Sequence, residues 1–446
     1  MPDWIVGAQQ GDGPPGADKP GYARVFSGAD GSELYTFVGD NINDTFGRRV
    51  SGAGDVDGDG FDDVVVGAPL SAANGLNSGY ARVFSGATGA TLYTFIGNQA
   101  EDQFGDAVSG AGDVNGDSYD DVVIGAPQPS LSIPTVGYVK VFSGLTGGTI
   151  HVLAGFAVGD RFGKSVSDLA DLDGDGRDDF IVGAPEDAGL ALPGYAQVFS
   201  GAAGTPLVTV VGDGNFDRFG TSVAKAGDLD GDGDTDWVVG APGTGNQSRP
   251  AYVRTFNGPL GTELFTIPGN LLNNLGIFVS GAGDVDAAGF DDILVGSTGT
   301  LSTSFLVNSG QSGTLIDFFN DARSIGPLGD LNGDGYDDIG LGVLFGSSGS
   351  MEPGTVQVLT FAPPCDDADM DGYGASQNVL CQFPGIDCDD SNAAVHPGAA
   401  EIPGNGIDEN CNGNDLCGSI PAPGSSGAVA AYGLIALAFA GLLRRR

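Results

Sequence analysis

The chain has 446 residues, 79 of them glycine, and 17 Lys and Arg against 58 Asp and Glu give a formal net charge of −41. An acidic excess of that size excludes a nucleic-acid backbone or an anionic lipid surface as partner, since both need clustered Lys and Arg, and it favours cations. Two histidines, His151 and His396, exclude a histidine-built zinc site or a Ser-His-Asp triad, and no catalytic residue is assigned.

The first residues, MPDWIVGAQQ, carry no basic or apolar leader pattern and already read as a strand. A string then returns along the chain: DVDGDGFDDVVVGAP from Asp55, DVNGDSYDDVVIGAP from Asp113, DLDGDGRDDFIVGAP from Asp171 and DLDGDGDTDWVVGAP from Asp228. Weaker copies begin at Asp284 and Asp330, and the spacings are 58, 58, 57, 56 and 46 residues. In the second unit four β-rich runs, 48–56, 62–69, 79–86 and 91–97, are each bounded by Gly, Asn, Asp or Pro. Four short antiparallel strands per period predict an all-β fold, a seven-bladed β-propeller over residues 1–362. The strands counted are 26, two short of 28; the first strand of unit one and the fourth of unit seven are missing. Both gaps point upstream of Met1, so the reading expects an N-terminally truncated form of a secreted protein.

The Asp-rich loops fit a hard cation. Carboxylates at positions one, three, five and nine, with a backbone carbonyl at seven and Gly at six for the turn, supply the oxygen set that Ca²⁺ takes. The first such loop offers Asp55, Asp57, Asp59, the Phe61 carbonyl and Asp63. The others offer Asp113, Asn115, Asp117, Tyr119 and Asp121; Asp171, Asp173, Asp175, Arg177 and Asp179; and Asp228, Asp230, Asp232, Asp234 and Asp236. The last offers Asp330, Asn332, Asp334, Tyr336 and Asp338, for about five Ca²⁺ sites in all. Position twelve, a bidentate Glu in an EF-hand, is Val66, Ile124, Val182, Val239, Val295 or Leu341, so the loop runs into a strand. Ala288 at position five makes the Asp284 loop weak or empty in this reading, and Ser118 replaces the turn Gly in the Asp113 loop. The bland alternative is a set of Asp-Gly hairpin turns, but a turn needs one or two such residues, and four close carboxylates repel without a cation.

Phe-Gly (Phe46-Gly47, Phe104-Gly105, Phe162-Gly163, Phe219-Gly220), the Asp-rich loop and Gly-Ala-Pro together resemble the FG-GAP repeat of integrin alpha subunits. The resemblance implies a seven-bladed propeller with Ca²⁺ in hairpins between first and second strands. It departs at unit six, where Leu275-Gly276 replaces Phe-Gly, and at unit seven. The inserted Asp-x-Ser-x-Ser adhesion domain is absent, so integrin-style ligand coordination does not carry over. The linkers between second and third strands vary between units and fall opposite the cation loops, which reads either as a binding face or as drift in surface loops.

Residues 363–417 change character. Asp367, Asp369 and Asp371 repeat the Ca²⁺ spacing, and Cys365, Cys381, Cys388 and Cys411 are disulfide candidates, with Cys417 a processing candidate. The Asp-Cys-Asp-Asp and Gly-Ile-Asp-Glu-Asn-Cys runs look like MopE-type metal-binding motifs of bacterial surface proteins. Pro403 stands where many copies carry Cys, which leaves the pairing open, and a disulfide-stapled spacer without metal is the alternative. Carboxylate-rich loops favour Ca²⁺ over copper on ligand hardness.

After the linker 418–426, the uncharged run 427–443 and Arg444, Arg445 and Arg446 predict a transmembrane helix with a basic cytoplasmic end. Linker, helix and arginines resemble C-terminal sorting signals of the PEP-CTERM and myxobacterial kinds. The sequence thus reads as a bacterial cell-surface, Ca²⁺-binding propeller that engages a protein or glycan in adhesion, held at the membrane through its C-terminal segment. The alternatives are a propeller attached to a surface hydrolase and a metal-scavenging surface protein acting through residues 365–411.

Overall fold

The computed structural model describes residues 2–9, 20–129, 135–186, 193–243, 250–269, 274–298, 303–320, 322–333, 335–343 and 355–360, positions 392, 394–397 and 399, and residues 440–443. They are all-β and turn, with no helix among them. Seven sheets follow one another along the chain. Blade one holds β1 (Asp3–Ala8), β2 (Tyr22–Phe26) and β3 (Glu33–Val38). Blade two is β4 (Arg49–Gly54), β5 (Asp63–Ala68), β6 (Tyr80–Phe84) and β7 (Thr91–Ile96). Blade three is β8 (Ala107–Gly112), β9 (Asp121–Ala126), β10 (Tyr138–Phe142) and β11 (Thr149–Ala154). Blade four is β12 (Ser165–Asp168), β13 (Phe180–Ala184), β14 (Tyr195–Phe199) and β15 (Pro206–Val211). Blade five is β16 (Ser222–Gly227), β17 (Asp236–Ala241), β18 (Tyr252–Phe256) and β19 (Glu263–Pro268). Blade six is β20 (Phe278–Gly283), β21 (Asp292–Thr298), β22 (Thr303–Asn308) and β23 (Leu315–Asn320). Blade seven is β24 (Ala322–Gly329), β25 (Asp338–Val343) and β26 (Thr355–Leu359).

The slot ahead of β1 is filled by β27 (Ala440–Leu443), antiparallel to it. This corrects two expectations. The first slot of blade one is filled from the C-terminal end of the chain, and the four described residues of the apolar run are strand where a transmembrane helix was expected. An apolar run does not by itself distinguish helix from strand, and β1 offers it an open edge of N–H and C=O groups. Residues 427–439 and 444–446 lie outside the described residues, among which no helix is long and apolar enough to cross a membrane. No strand among the described residues fills the fourth slot of blade seven.

Burial explains the strand order. The second strands β5, β9 and β17 are buried along their whole length, whereas the fourth strands alternate toward solvent. The core lies between blades: Val65 and Val83 of blade two pack with Val108, Val122 and Ile124 of blade three. The ring closes where Leu328 and Val356 of blade seven meet Trp4, Val6 and Phe26 of blade one.

Phe-Gly and Gly-Ala-Pro come together at the boundaries from blade two to blade five. The Gly105 amide donates to the Gly125 carbonyl within blade three at 3.0 Å. A Cβ on Gly67 of blade two would sit 2.1 Å from the Gly105 oxygen, so only glycine fits at Gly67. Phe104, fully buried, meets Phe142 edge-on. In blade six Leu275 is buried in the phenylalanine's place, and the Gly276 amide still donates to Gly296 at 2.9 Å. Fourth strands reach across as well: the Tyr35 and Tyr93 hydroxyls donate to the carbonyls of Ala87 and Gly144 at 2.7 Å. His151 stands at the corresponding place in blade three's successor contact, its Nε2 2.6 Å from the Gly201 carbonyl.

A second unit comprises residues 334–336 and 360–433. Within it Val395 is buried in a turn closed by its amide on the Asn392 carbonyl at 2.8 Å.

Candidate cation-binding loops

Each loop joins a first strand to a second. In blade two the chain leaves β4 and is folded by its own carboxylates: Asp55 Oδ2 accepts the Gly60 amide at 3.0 Å, Asp57 Oδ1 accepts the Asp59 amide at 3.2 Å, and Asp59 Oδ1 accepts the Phe61 amide at 3.0 Å. Gly60 turns the chain at φ 91°. In the Asp113 loop Ser118 takes the same left-handed turn at φ 69°, a conformation that costs a non-glycine residue about 1–2 kcal/mol.

Position nine is the inner wall. Asp63, Asp121, Asp179, Asp236, Asp292 and Asp338 are all buried. Asp63 Oδ2 accepts the Val56 amide at 3.0 Å, and Oδ1 accepts the Gly86 amide at 2.8 Å. The second of these bonds recurs in blade one, where Asp3 accepts the Gly28 amide at 3.0 Å.

The electrostatics fit a bound cation. Burial pushes the Asp63 carboxyl up to about 7; Asp57 and Asp59 add to the effect, and the amides of Gly86 and Val56 partly offset it. Burial likewise takes Asp121 and Asp292 to about 7 and Asp179 and Asp236 to about 6. Carboxylates of Asp55, Asp57 and Asp63 bring oxygens within 4.8 Å of one another, and the trios Asp171, Asp173, Asp179 and Asp228, Asp230, Asp236 do the same. Asp55 Oδ1 is buried without a hydrogen-bond partner. A divalent ion would neutralise such a group and take up its unused oxygen.

The loops are not equivalent. In the Asp113 loop the Asn115 amide donates to Asp121 Oδ1 at 3.3 Å. In the Asp228 loop Asn257 Nδ2 donates to Asp232 at 2.7 Å and to Asp230 at 3.3 Å. The Asp284 loop, expected to be weak, brings Asp284, Asp286 and Asp292 together within the same 4.8 Å, although Ala288 adds no oxygen. Period-based reading discounted that trio because it weighted position five as heavily as the three positions that meet. In the last loop Leu331 donates to Asp338 Oδ2 at 2.9 Å, and Asp334 lies outside the described residues. The position-seven residues Phe61, Tyr119, Arg177 and Asp234 each donate their amide to the position-five carboxylate, at 2.9–3.1 Å. Asp367, Asp369, Asp371, Cys365, Cys381, Cys388, Cys411 and Cys417 all lie outside the described residues.

Comparison with known proteins agrees with this geometry. The FG-GAP repeat model matches residues 46–84, 104–142 and 219–253, and the MopE-type metal-binding motif matches residues 387–415. The chain therefore carries FG-GAP repeats and a MopE-type motif, and its fold is an integrin alpha-like, seven-bladed FG-GAP β-propeller. It is 32% identical to integrin alpha-5 of Xenopus laevis over 220 residues, 45% of this chain and 20% of that one. It is 34% identical to integrin alpha-V of Gallus gallus and to integrin alpha-IIb of Homo sapiens, in each case over 206 residues, 42% of this chain and 19% of theirs. The matched stretch thus spans about a fifth of the length of these relatives.

Proposed function

We propose that the chain is a Ca²⁺-stabilised, non-enzymatic propeller of the bacterial cell surface that binds a protein or glycan in adhesion. The observation that carries this reading is the separation of two faces. Antiparallel blades put the Asp-rich hairpins at one end of the strands, and the linkers after Gly-Ala-Pro at the other, beside the Phe-Gly turns. The described linker of blade two supports it: Asn74 Nδ2 donates to the Gly97 and Asn98 carbonyls, and the Glu101 amide donates to the Leu76 carbonyl at 2.8 Å. Linker and turn are thereby braced into one surface.

Asp55, Asp57, Asp59 and Asp63, and their counterparts, would hold the ion, which supplies charge neutralisation. The protein's own residues fix the hairpins and carry the ligand face. Residues 1–362 together with β27 form the propeller in this reading, 363–417 a Cys/Asp-rich metal-binding segment with one further Ca²⁺, and 418–426 a linker. The test is a glycan and surface-protein binding screen with the full chain, with and without Ca²⁺. A saturable ligand whose binding falls after chelation supports the proposal; no ligand in either condition counts against it.

The MopE-type match favours one second reading, metal scavenging through residues 387–415. Metal analysis of the purified chain separates the two, since bound copper in place of calcium would favour scavenging.

A further inference from the structure

In four of the six Asp-rich loops, the aspartate at position eight bonds the cation loop of the preceding blade. Asp120, in the loop of blade three, reaches back to blade two. Its Oδ2 accepts the Asp55 amide at 2.8 Å, and its own amide donates to the Asp55 carbonyl at 3.2 Å. The same double bond links Asp178 to Asp113 (3.0 and 3.3 Å), Asp291 to Asp228 (2.8 and 2.9 Å), and Asp337 to Asp284 (both 3.2 Å).

The residue before position one makes room for the visiting carboxylate. A Cβ on Gly54 would lie 2.1 Å from Asp120 Oδ2, on Gly112 2.1 Å from Asp178, on Gly227 2.0 Å from Asp291, and on Gly283 1.8 Å from Asp337. All four glycines hold a positive φ, between 64° and 84°. Between blades four and five both partners change together: Ala170 stands where the glycine belongs, and Thr235 where the aspartate belongs.

We propose that Asp120, Asp178, Asp291 and Asp337 are positioning residues for the cation loop of the preceding blade. They hold the backbone of position one, from which the first carboxylate ligand projects. Outer-sphere hydrogen bonds of this kind typically govern metal affinity about 10–100-fold. The loops are then linked in two runs, Asp55–Asp113–Asp171 and Asp228–Asp284–Asp330, with a break between Asp171 and Asp228. The inference rests on the cation reading above.

The test is Ca²⁺ titration of the full chain by calorimetry, with circular dichroism to check folding. Asp120→Ala is made in wild type, in a chain whose own loop is disabled (N115A with D117A), and in a chain whose preceding loop is disabled (D57A). The expected result is an about tenfold loss of affinity at one site, which persists when the Asp113 loop is disabled and vanishes when the Asp55 loop is disabled. The reverse pattern would make Asp120 a servant of its own loop and overturn the proposal. Should Asp120→Ala fail to fold, A170G combined with T235D installs the missing link; it is expected to tighten one Ca²⁺ site several-fold, and no change there also overturns it. A wild-type chain that takes up no Ca²⁺ would instead overturn the cation reading, and the positioning role with it.

Discussion

Tyr138 donates its hydroxyl hydrogen to Asp102 Oδ2 at 2.6 Å, tying the third strand of blade three to the turn that enters its first strand. Tyr195 and Asp160, and Tyr252 and Asp217, repeat the bond at 2.7 Å. The other oxygen of Asp160 and of Asp217 accepts the amide of the Phe-Gly phenylalanine at 3.1 Å. Aspartate, phenylalanine and tyrosine are therefore one device, which explains why Asp-x-Phe-Gly precedes the first strand and Tyr opens the third.

Removing the hydroxyl leaves a buried carboxylate with fewer donors. Tyr195→Phe should destabilise the propeller by about 1–2 kcal/mol, because Asp160 keeps the amides of Phe156 and Ala157. Asp160→Ala strands three amides and the hydroxyl and should cost more. Urea denaturation of both variants checks the order.

Asp106, buried, sits 2.6 Å from Lys164 Nζ and 3.3 Å from Arg48 Nε, so three blades meet on one carboxylate. Burial would push Asp106 up, but Lys164, Arg49 and Arg48 together hold it below the ordinary carboxylate range. Its share of stability is present above the unfolded value of 3.8 and is lost as pH falls through the lower folded value. Lys164→Met should cost about 3 kcal/mol by leaving the carboxylate underpaired. A smaller loss in the double variant with Asp106→Leu than in Lys164→Met alone would identify the residual charge as the cause.

Asp63, Asp121, Asp179, Asp236 and Asp292 at position nine act in the opposite sense. With folded values near 6 to 7 against 3.8 unfolded, they favour folding when protonated, and that contribution is lost as pH rises from about 4 to about 7. A chelated and buffer-exchanged chain should therefore melt at a higher temperature at pH 5 than at pH 8. Added Ca²⁺ should shrink the difference, and Asp63→Asn should reduce it in the cation-free protein. Melting curves at the two pH values decide this.

Two glycine substitutions should separate contact from conformation. Gly67→Ala drives a Cβ to 2.1 Å from the Gly105 oxygen, backbone against backbone, and should cost about 1–3 kcal/mol or more. Gly174→Ala meets nothing within 4 Å but must hold φ 75°, at about 1–2 kcal/mol. Equal losses in thermal melts would count against the boundary contact as the reason for Gly-Ala-Pro.

Much of this was legible because the repeat shows its own alignment. The run 62–69 became β5 at Asp63–Ala68 and 91–97 became β7 at Thr91–Ile96, since turn residues bound each strand. Spacing alone placed position nine in the acidic cluster that the fold assembles. Position eight was not legible: Asp120 and Asp121 are adjacent and chemically identical, and only the alternation of side chains along a strand sends one inward and the other across to blade two. The four described residues of the C-terminal apolar run depart from expectation for a related reason. Ala440–Leu443 is apolar enough for a membrane, and what makes it a strand is the open edge of β1, hundreds of residues away.

The seam where Ala170 faces blade five leaves the amide of Asp171 without the aspartate that holds its counterparts. In native-state hydrogen exchange that amide should therefore exchange sooner than those of Asp55, Asp113, Asp228 and Asp284, each of which donates to a carboxylate of the next blade.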